Sequence, residues 1–531
     1  MAETVTQLLL ERADDDNVAI TYNGAQRSWR EHLADARALA ATVIAAADPQ
    51  RPMHIGTLLG NTPTMLTALA AGALGGYVTA GINNTRRGEA LAGDIRRADC
   101  QILLTDADHR GLLDGLALTG VTVFDTSAPE WEPRLADAGE LVPYSTPGAM
   151  DPFMLIFTSG TSGDPKPVQL AHMLIPFAGP PLVEKFGITA EDVCYLSMPL
   201  FHSAALLGGY CVAAAAGASI VPARFSASTF LDDIRRHGAT YMNYVGKPLA
   251  YILATPEKAD DADNPLRAAF GNEASDHDIT EFARRFGCSV WDGYGSSELA
   301  IIVTREPGTP AGSIGKGFPG VAVYDPATGT ECARARFDEN GALINADKAV
   351  GELVNTSGAG MFTGYYNDAA TTGERLRDGM YWSGDLAYKD DDDWIYLAGR
   401  TGDWMRIDGE NMTAGPIERI LQRVSGVNQV AVYGVPDEQV GDAVMAAMVL
   451  DDDATLGPDE FAAALDAQPD LSPMAWPRYV RIAATLPTTA TNKIVKRHLK
   501  QEGATPGDGV LWVREPRTRT YRVAARPLAP I

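Results

Sequence analysis

Residues 158–166 read Thr158-Ser159-Gly160-Thr161-Ser162-Gly163-Asp164-Pro165-Lys166, a run of hydroxyls and glycines closed by a lysine. Glycine lets backbone N–H groups come close to an anion, and each hydroxyl adds a donor. The apolar run Phe153–Phe157 before it has strand character, so the loop is expected at a strand end, where a triphosphate could rest. The spacing departs from G-x-x-x-x-G-K-[ST]: Gly160 and Gly163 are three apart and Pro167 follows Lys166. That disfavours a P-loop NTPase. Alone, the same residues would also suit an ordinary surface loop. They have company. Trp291-Asp292-Gly293-Tyr294-Gly295-Ser296-Ser297-Glu298 offers an aromatic face, two glycines, two hydroxyls and a carboxylate. In Tyr381–Asp385 an acid stands behind a glycine turn, suited to accept both hydroxyls of a ribose, and Gly399-Arg400 lies fourteen residues on. Pro487-Thr488-Thr489-Ala490-Thr491-Asn492-Lys493 sets a lysine in a loop.

Positioning residues so far apart requires a large scaffold. At 531 residues, more than one domain is expected. The 46% hydrophobic and 21% charged content is that of an ordinary globular protein. Helical spacing over Glu31–Leu39 alternates with strand-like runs at Met53–Leu59, Gln101–Thr105, Ala218–Val221 and Tyr241–Val245, with a further helix over Phe230–Arg236. Such alternation indicates layered α/β structure around largely parallel sheets. Asp325–Leu353 turns to Gly, Asp and Ala with short strand-like pieces, a β-rich subdomain. After a hinge candidate at Gly399–Asp403, Pro416–Leu421 opens a helix with proline in its first turn, and strands follow at Gln429–Val435 and Ala443–Leu450. The expectation is a large N-terminal domain over 1–400, α/β plus β-rich, and a small mobile α+β domain over 401–531.

Net charge is −24, which argues against nucleic acid or an anionic membrane as partner. From Leu471 to Ile531, however, eleven Lys/Arg face three Asp/Glu, a local +8. This cationic piece is either a solvated surface or the face that meets a polyanionic ligand. Five scattered cysteines form no metal spacing and suit reduced thiols. No basic n-region opens the chain, so a cytoplasmic location is expected. The uncharged stretch 203–223 is read as helix then strand, not a membrane span.

Taken in order, these motifs resemble the adenylate-forming superfamily of acyl-CoA synthetases, luciferases and peptide-synthetase adenylation domains, over nearly the whole chain. The resemblance implies ATP, Mg²⁺ and coenzyme A as cofactors. Thr158, Ser159, Gly160, Thr161, Ser162, Gly163 and Lys166 would hold the β- and γ-phosphates. Tyr294, within Asp292-Gly293-Tyr294-Gly295, would pack on adenine, with Gly271, Asn272, Glu273 and Ala274 on the other side. Ser297 would contact phosphate and Glu298 would associate with magnesium. Asp385 and Arg400 match the ribose-binding pair, Lys493 the lysine needed for adenylation, and Gly402 the hinge. Gly409 matches the glycine over which the pantetheine arm passes. His202, Tyr244, Val245 and Gly246 would line the acyl pocket.

The chemistry follows from charge. A carboxylate and the α-phosphate are both anionic, so their reaction needs neutralisation and close positioning. The acyl-adenylate then offers AMP as leaving group to a thiol. Asn243–Gly246, Phe270–Asn272 and Arg400–Arg406 with Gly409–Asn411 look like the fatty-acid-transport and very-long-chain branch, and the overall phrasing resembles actinobacterial FadD-type ligases, some of which act on steroid side-chain acids. Asn492 stands where most relatives have glycine, Gly402 replaces an acidic or lysyl hinge residue, and Asp164 sits where a neutral residue is common. The reading is an acid:CoA ligase for a hydrophobic acid, with fatty and sterol-derived acids both open. Its rivals are a stand-alone acyl-AMP ligase that loads a carrier protein and a lipid-binding protein with a vestigial ATP site. Homodimer formation and peripheral membrane contact are left open.

Overall fold

The computed structural model describes residues 2–158, 165–339, 341–400, 404–407, 410–437, 441–451, 454–489, 493–514 and 518–524. The chain divides into two compact units, Met1–Ala300 with Ala359–Arg375, and Ile301–Gly358 with Leu376–Ile531. In the first, the strands are β1 (Val18–Tyr22), β2 (Ala25–Ser28), β3 (His54–Leu58), β4 (Val78–Gly81), β5 (Ile102–Thr105), β6 (Thr122–Asp125), β7 (Pro152–Thr158), β8 (Lys166–Ala171), β9 (Val193–Leu196), β10 (Ser219–Pro222), β11 (Tyr241–Val245), β12 (Ala268–Asn272) and β13 (Ser289–Gly295). One sheet runs β6-β5-β3-β4-β7-β8 and the other β13-β12-β11-β9-β10-β1-β2. Their pairings are parallel except in the hairpins β1–β2 and β7–β8.

β3, β5 and β11 are buried along their whole length, as strands covered on both faces are, and His54, Thr57, Thr105 and Asn243 are buried there with their apolar neighbours. The helices between them begin and end where the sequence allows. Ser28 and Glu31 close a capping box on the helix Trp29–Ala46. Pro63–Gly75 starts at Thr62 and stops at Gly76, whose left-handed backbone a side chain would disfavour. The uncharged stretch is helical over Ser203–Ala205, π-helical over Leu206–Tyr210, helical again over Cys211–Ala216, and then enters β10. Among the described residues no helix is long and apolar enough to cross a membrane.

Behind β11 and β12 the rings of Phe230, Phe282 and Phe286 pack edge to face or tilted, with centroids 4.6–5.8 Å apart. Arg285, almost wholly buried, pairs with Asp261 at 2.6 Å and donates to the carbonyls of Leu253, Thr255 and Pro256. A buried guanidinium with this many partners fixes the helix Asp276–Phe286 to the segment Leu253–Asp261.

Two buried imidazoles make this unit acid-sensitive. Burial pushes His32 and His172 each down to about 4. Both are neutral in either state above the ordinary value near 6.5, so they change nothing there. Below it the unfolded chain binds protons that the folded one refuses, and stability falls until about pH 4, by up to about 3 kcal/mol per histidine. Urea midpoints measured between pH 7 and 4 should fall across that window. Asn substitutions at both positions should flatten the slope.

The second unit contains a β-rich part and an α+β part, each described separately by its own sheet. Its strands are β14 (Ile302–Thr304), β15 (Gly315–Gly317), β16 (Val321–Asp325), β17 (Thr330–Glu331), β18 (Gly351–Asn355), β19 (Leu376–Arg377), β20 (Met380–Lys389), β21 (Trp394–Arg400), β22 (Trp404–Ile407), β23 (Glu410–Thr413), β24 (Val427–Asp437), β25 (Gly441–Leu450), β26 (Tyr479–Ile482), β27 (Val510–Arg514) and β28 (Tyr521–Val523). The antiparallel order β17-β16-β18-β20-β21-β15-β14 forms a β-rich subdomain, although among the described residues of Asp325–Leu353, where composition placed it, only Asp325, Thr330–Glu331 and Gly351–Leu353 are strand and Ala346–Ala349 is helix. The α+β sheet runs β23-β22-β25-β26-β27-β28, with β24 beside β25. Alternation along β24 places Val430 and Val432 in one core with Phe461 and Trp512, and Ala431, Tyr433 and Val435 in another with Leu486 and Leu499. The helix Ala414–Leu421 carries Pro416 in its first turn.

Candidate active site

In the first unit the site residues gather at the carboxyl ends of neighbouring parallel strands, where open α/β sheets take their ligands. Register places Tyr244 beside Gly271 and Gly271 beside Asp292, then Val245 beside Asn272 and Asn272 beside Gly293. Three motifs hundreds of atoms apart along the chain thus become one rim. The Asp292 carboxylate, buried, accepts from the Tyr244 hydroxyl at 2.9 Å and from the Ala274 N–H at 3.1 Å. A buried carboxylate needs such donors. Asp292 and Tyr244 therefore hold the rim together: Tyr244 is fully buried, and its hydroxyl turns to Asp292. Gly246 N–H donates to Asn272 O at 2.9 Å with φ at +71°, closing the end of β11 onto β12.

Glu273 holds φ at +68°, a left-handed conformation uncommon outside glycine, at the point where the rim leaves β12. Gly293 through Leu299 are all partly exposed, so Tyr294, Ser297 and Glu298 lie at an accessible edge. A Cβ at Gly295 would meet nothing within 4 Å, which leaves open space beside Tyr294. Ser297 and Ser203 share a hydroxyl–hydroxyl contact at 3.0 Å, so Ser297 adjoins the residue after His202. His202 is half-buried, its ring 4.8 Å from that of Phe201.

Lys166 opens β8 opposite Thr158, the last residue of β7. Both ends of the hydroxyl–glycine loop are therefore anchored by a strand pair, while Ser159, Gly160, Thr161, Ser162 and Gly163 lie outside the described residues. The Lys166 ammonium donates to Thr371 Oγ1 at 2.7 Å, lies 3.9 Å from the Asp368 carboxylate, and sits 5.8 Å from the centre of the Tyr365 ring. The Tyr365 hydroxyl donates to Glu298 Oε1 at 2.8 Å. Tyr365, Asp368 and Thr371 went unnoticed in the sequence. Gly364-Tyr365-Tyr366-Asn367 carries no spacing that marks chemistry, and only the pairing of two tyrosines could have drawn attention.

The second unit holds the other candidates. Asp385 and Arg400 face each other across β20 and β21, with Arg400 Nε 3.2 Å from Asp385 Oδ1. Gly384, at φ +78°, donates its N–H to the buried Glu352 carboxylate at 2.7 Å, and Asp385 N–H donates to Ser383 Oγ at 3.0 Å. These bonds bend the strand and fix where the Asp385 side chain emerges. Lys493 is exposed. Its backbone is pinned to Thr489 by N–H donation to Oγ1 at 3.1 Å and by the Thr489 N–H on its carbonyl at 2.8 Å, while Val495 N–H reaches Pro487 O at 2.7 Å. Below the loop, Lys496 pairs with Glu418 at 2.9 Å, joining the helices Lys496–Glu502 and Ala414–Leu421. Gly402, Gly409 and Asn492 lie outside the described residues.

The donors fit a metal nucleotide. Glu298 with neighbouring hydroxyls is a sparse oxygen set, and the described residues contain no cluster of three or more His, Cys, Asp or Glu able to cage a metal. Mg²⁺ is commonly held in this way, by one or two carboxylates plus phosphate and water.

Residues 10–366 match the family described as AMP-binding enzyme, and residues 416–493 match the AMP-binding enzyme C-terminal domain. The chain is 49% identical over 513 residues to the medium/long-chain-fatty-acid–CoA ligase FadD17 of Mycobacterium tuberculosis, covering 96% of this chain and 99% of that one. It is 42% identical to the steroid-22-oyl-CoA synthetase of Rhodococcus jostii, covering 94% and 91%. The crystal structure of ATP-bound MatB from Rhodopseudomonas palustris shares the fold, with a TM-score of 0.82 and 24% identity over 94% of this chain and 99% of that one.

Proposed function

The chain belongs to the AMP-binding enzyme family, and we propose that it is an ATP-dependent acid:CoA ligase that activates a hydrophobic carboxylic acid through an acyl-adenylate. The acid oxygen attacks the α-phosphorus, the bond to the β-phosphate breaks, and pyrophosphate leaves. The coenzyme A sulfur, as thiolate, then attacks the acyl carbon and AMP departs. No nucleophile from the protein is required.

This chain's own groups would bind and orient. Tyr294 and the 271–274 rim would flank adenine, Asp385 would accept from the ribose hydroxyls with Arg400 beside it, and Lys166, Ser297 and Thr158 would donate to phosphate. Lys493 would bring its ammonium between the acid oxygen and the α-phosphate. Mg²⁺ at Glu298 would offset the charge of the departing pyrophosphate. His202, Val245 and Gly246 would border the acyl group, with Tyr244 acting from behind through Asp292. We assign adenylation to residues 1–400 and the lysine-bearing module to 401–531, joined at Gly402, with Gly409 beside the pantetheine arm. Five free thiols, four of them buried, support a cytoplasmic setting.

The single observation that carries the reading is the register of β11, β12 and β13, which sets Tyr244, Gly271 and Asp292 side by side beneath Tyr294 to Glu298. Long-chain fatty acids and steroid side-chain acids are the acids to test first, since two of the relatives named above are called a medium/long-chain-fatty-acid–CoA ligase and a steroid-22-oyl-CoA synthetase. Enzyme, ATP, Mg²⁺, CoA and each acid should yield AMP and acyl-CoA in equal amounts for at least one class. Acid-dependent pyrophosphate exchange without thioester would favour transfer to a carrier protein. Retention of lipid without AMP would remove the ligase.

Asp385→Ala should raise the KM for ATP by roughly 100-fold or more, the loss of about two charge-assisted hydrogen bonds. Stability should change by less than about 1 kcal/mol, because its Arg400 partner is half exposed. Steady-state kinetics and a thermal melt on the same variant separate the two.

A further inference from the structure

Glu298 is held by a part of the chain that reaches it from a distant point in the sequence. Ala359–Arg375 leaves the flanking stretches of the second unit and folds with the first. The excursion is bound along β8: Gln169 N–H donates to Gly364 O at 3.1 Å, Tyr366 N–H to Pro167 O at 2.8 Å, and Thr363 Oγ1 to Gln169 O at 2.9 Å. Met361 N–H donates to Leu299 O at 3.3 Å, and Leu299, next to Glu298, is itself left-handed at φ +53°. The Tyr366 hydroxyl and the Asn367 amide both donate to Asp99 Oδ2 at 3.0 Å. The backbone around Tyr365 is therefore fixed from three directions.

Tyr365 is 5% exposed, and its hydroxyl is engaged by Arg375 and by Glu298. Its ring faces the Lys166 ammonium. One side chain thus touches both groups expected on the phosphate side of the site. A glutamate that must order itself on binding loses rotamer freedom, whereas one already tethered through a single oxygen does not.

We propose that Tyr365 is a positioning residue that tethers Glu298 Oε1 and so presents the carboxylate to a metal–triphosphate. This rests on the ligase reading above. Partners of this kind are worth about 10- to 100-fold in metal affinity or activity.

The test is Mn²⁺·ATP binding, read as enhanced water-proton relaxation, on wild type, Tyr365→Phe, Glu298→Gln and the double variant, with a thermal melt of each. Tyr365→Phe keeps the ring and removes only the tether. It should weaken Mn²⁺·ATP about tenfold, leave the KM for the acid unchanged, and have no further effect in the Glu298→Gln background. Unchanged or tighter Mn²⁺·ATP binding overturns the proposal, as does an equal loss in both backgrounds, which would mark a general packing defect. A wild-type protein that fails to bind Mn²⁺·ATP overturns instead the nucleotide site on which the proposal stands.

Discussion

Lys493→Ala should slow acid-dependent pyrophosphate exchange by about two to three orders of magnitude, the scale of losing one donor aimed at transition-state charge. The argument is electrostatic. Two anions must meet, and an ammonium between them lowers the repulsion more in the transition state than in either reactant. The fold should not notice. Lys493 is exposed, and its bonds to Thr489 and the Val495–Pro487 bond are made by the Lys493 and Val495 backbone, not by the ammonium. Thioester formation from separately supplied acyl-adenylate should persist, since that step consumes no triphosphate. Exchange at the wild-type rate would remove Lys493 from the chemistry.

Gly271→Ala should be the most damaging small substitution in the nucleotide rim. An added Cβ would lie 2.2 Å from Tyr244 O and 2.6 Å from Tyr244 Cδ2, so backbone and a fully buried ring would both have to move. Overpacking of this kind costs about 3 kcal/mol, or a fall of several degrees in the melting midpoint for a domain of this size. The displaced ring would also carry its hydroxyl off Asp292 and loosen the Ala274 end of the rim. Stability and ATP affinity should therefore fall together. A variant with an unchanged melt and unchanged ATP binding would mean that β11 and β12 do not pack as described.

Much of this was legible in the sequence because it is local. The apolar run Phe153–Phe157 marks a buried strand, and the helices over Trp29–Ala46 and Phe230–His237 announce themselves by spacing. The uncharged 203–223 stretch is helix then strand, as its composition indicates, although nothing in it signals the π-helical turn at Leu206–Tyr210. What the sequence hides is register. Asp292 belongs to the adenine motif and Tyr244 to the pocket-lining candidates, and only strand order reveals that their side chains meet. The bend that aims Asp385 depends on Glu352, thirty-three residues earlier in the chain. Tyr365 lies still further from the motif it serves, and a tyrosine after glycine is ordinary until the chain's return to the first unit brings it to Glu298.

Acid and ATP are expected to combine before coenzyme A takes part. A rapid-quench, single-turnover experiment with an active acid, ATP and excess enzyme, analysed by mass spectrometry, tests this order most directly. Acyl-adenylate and pyrophosphate should accumulate in equal amounts without coenzyme A, and the adenylate should convert to thioester and AMP once coenzyme A is added. Thioester that forms only when all three substrates are present, with no adenylate at any time, would contradict the account.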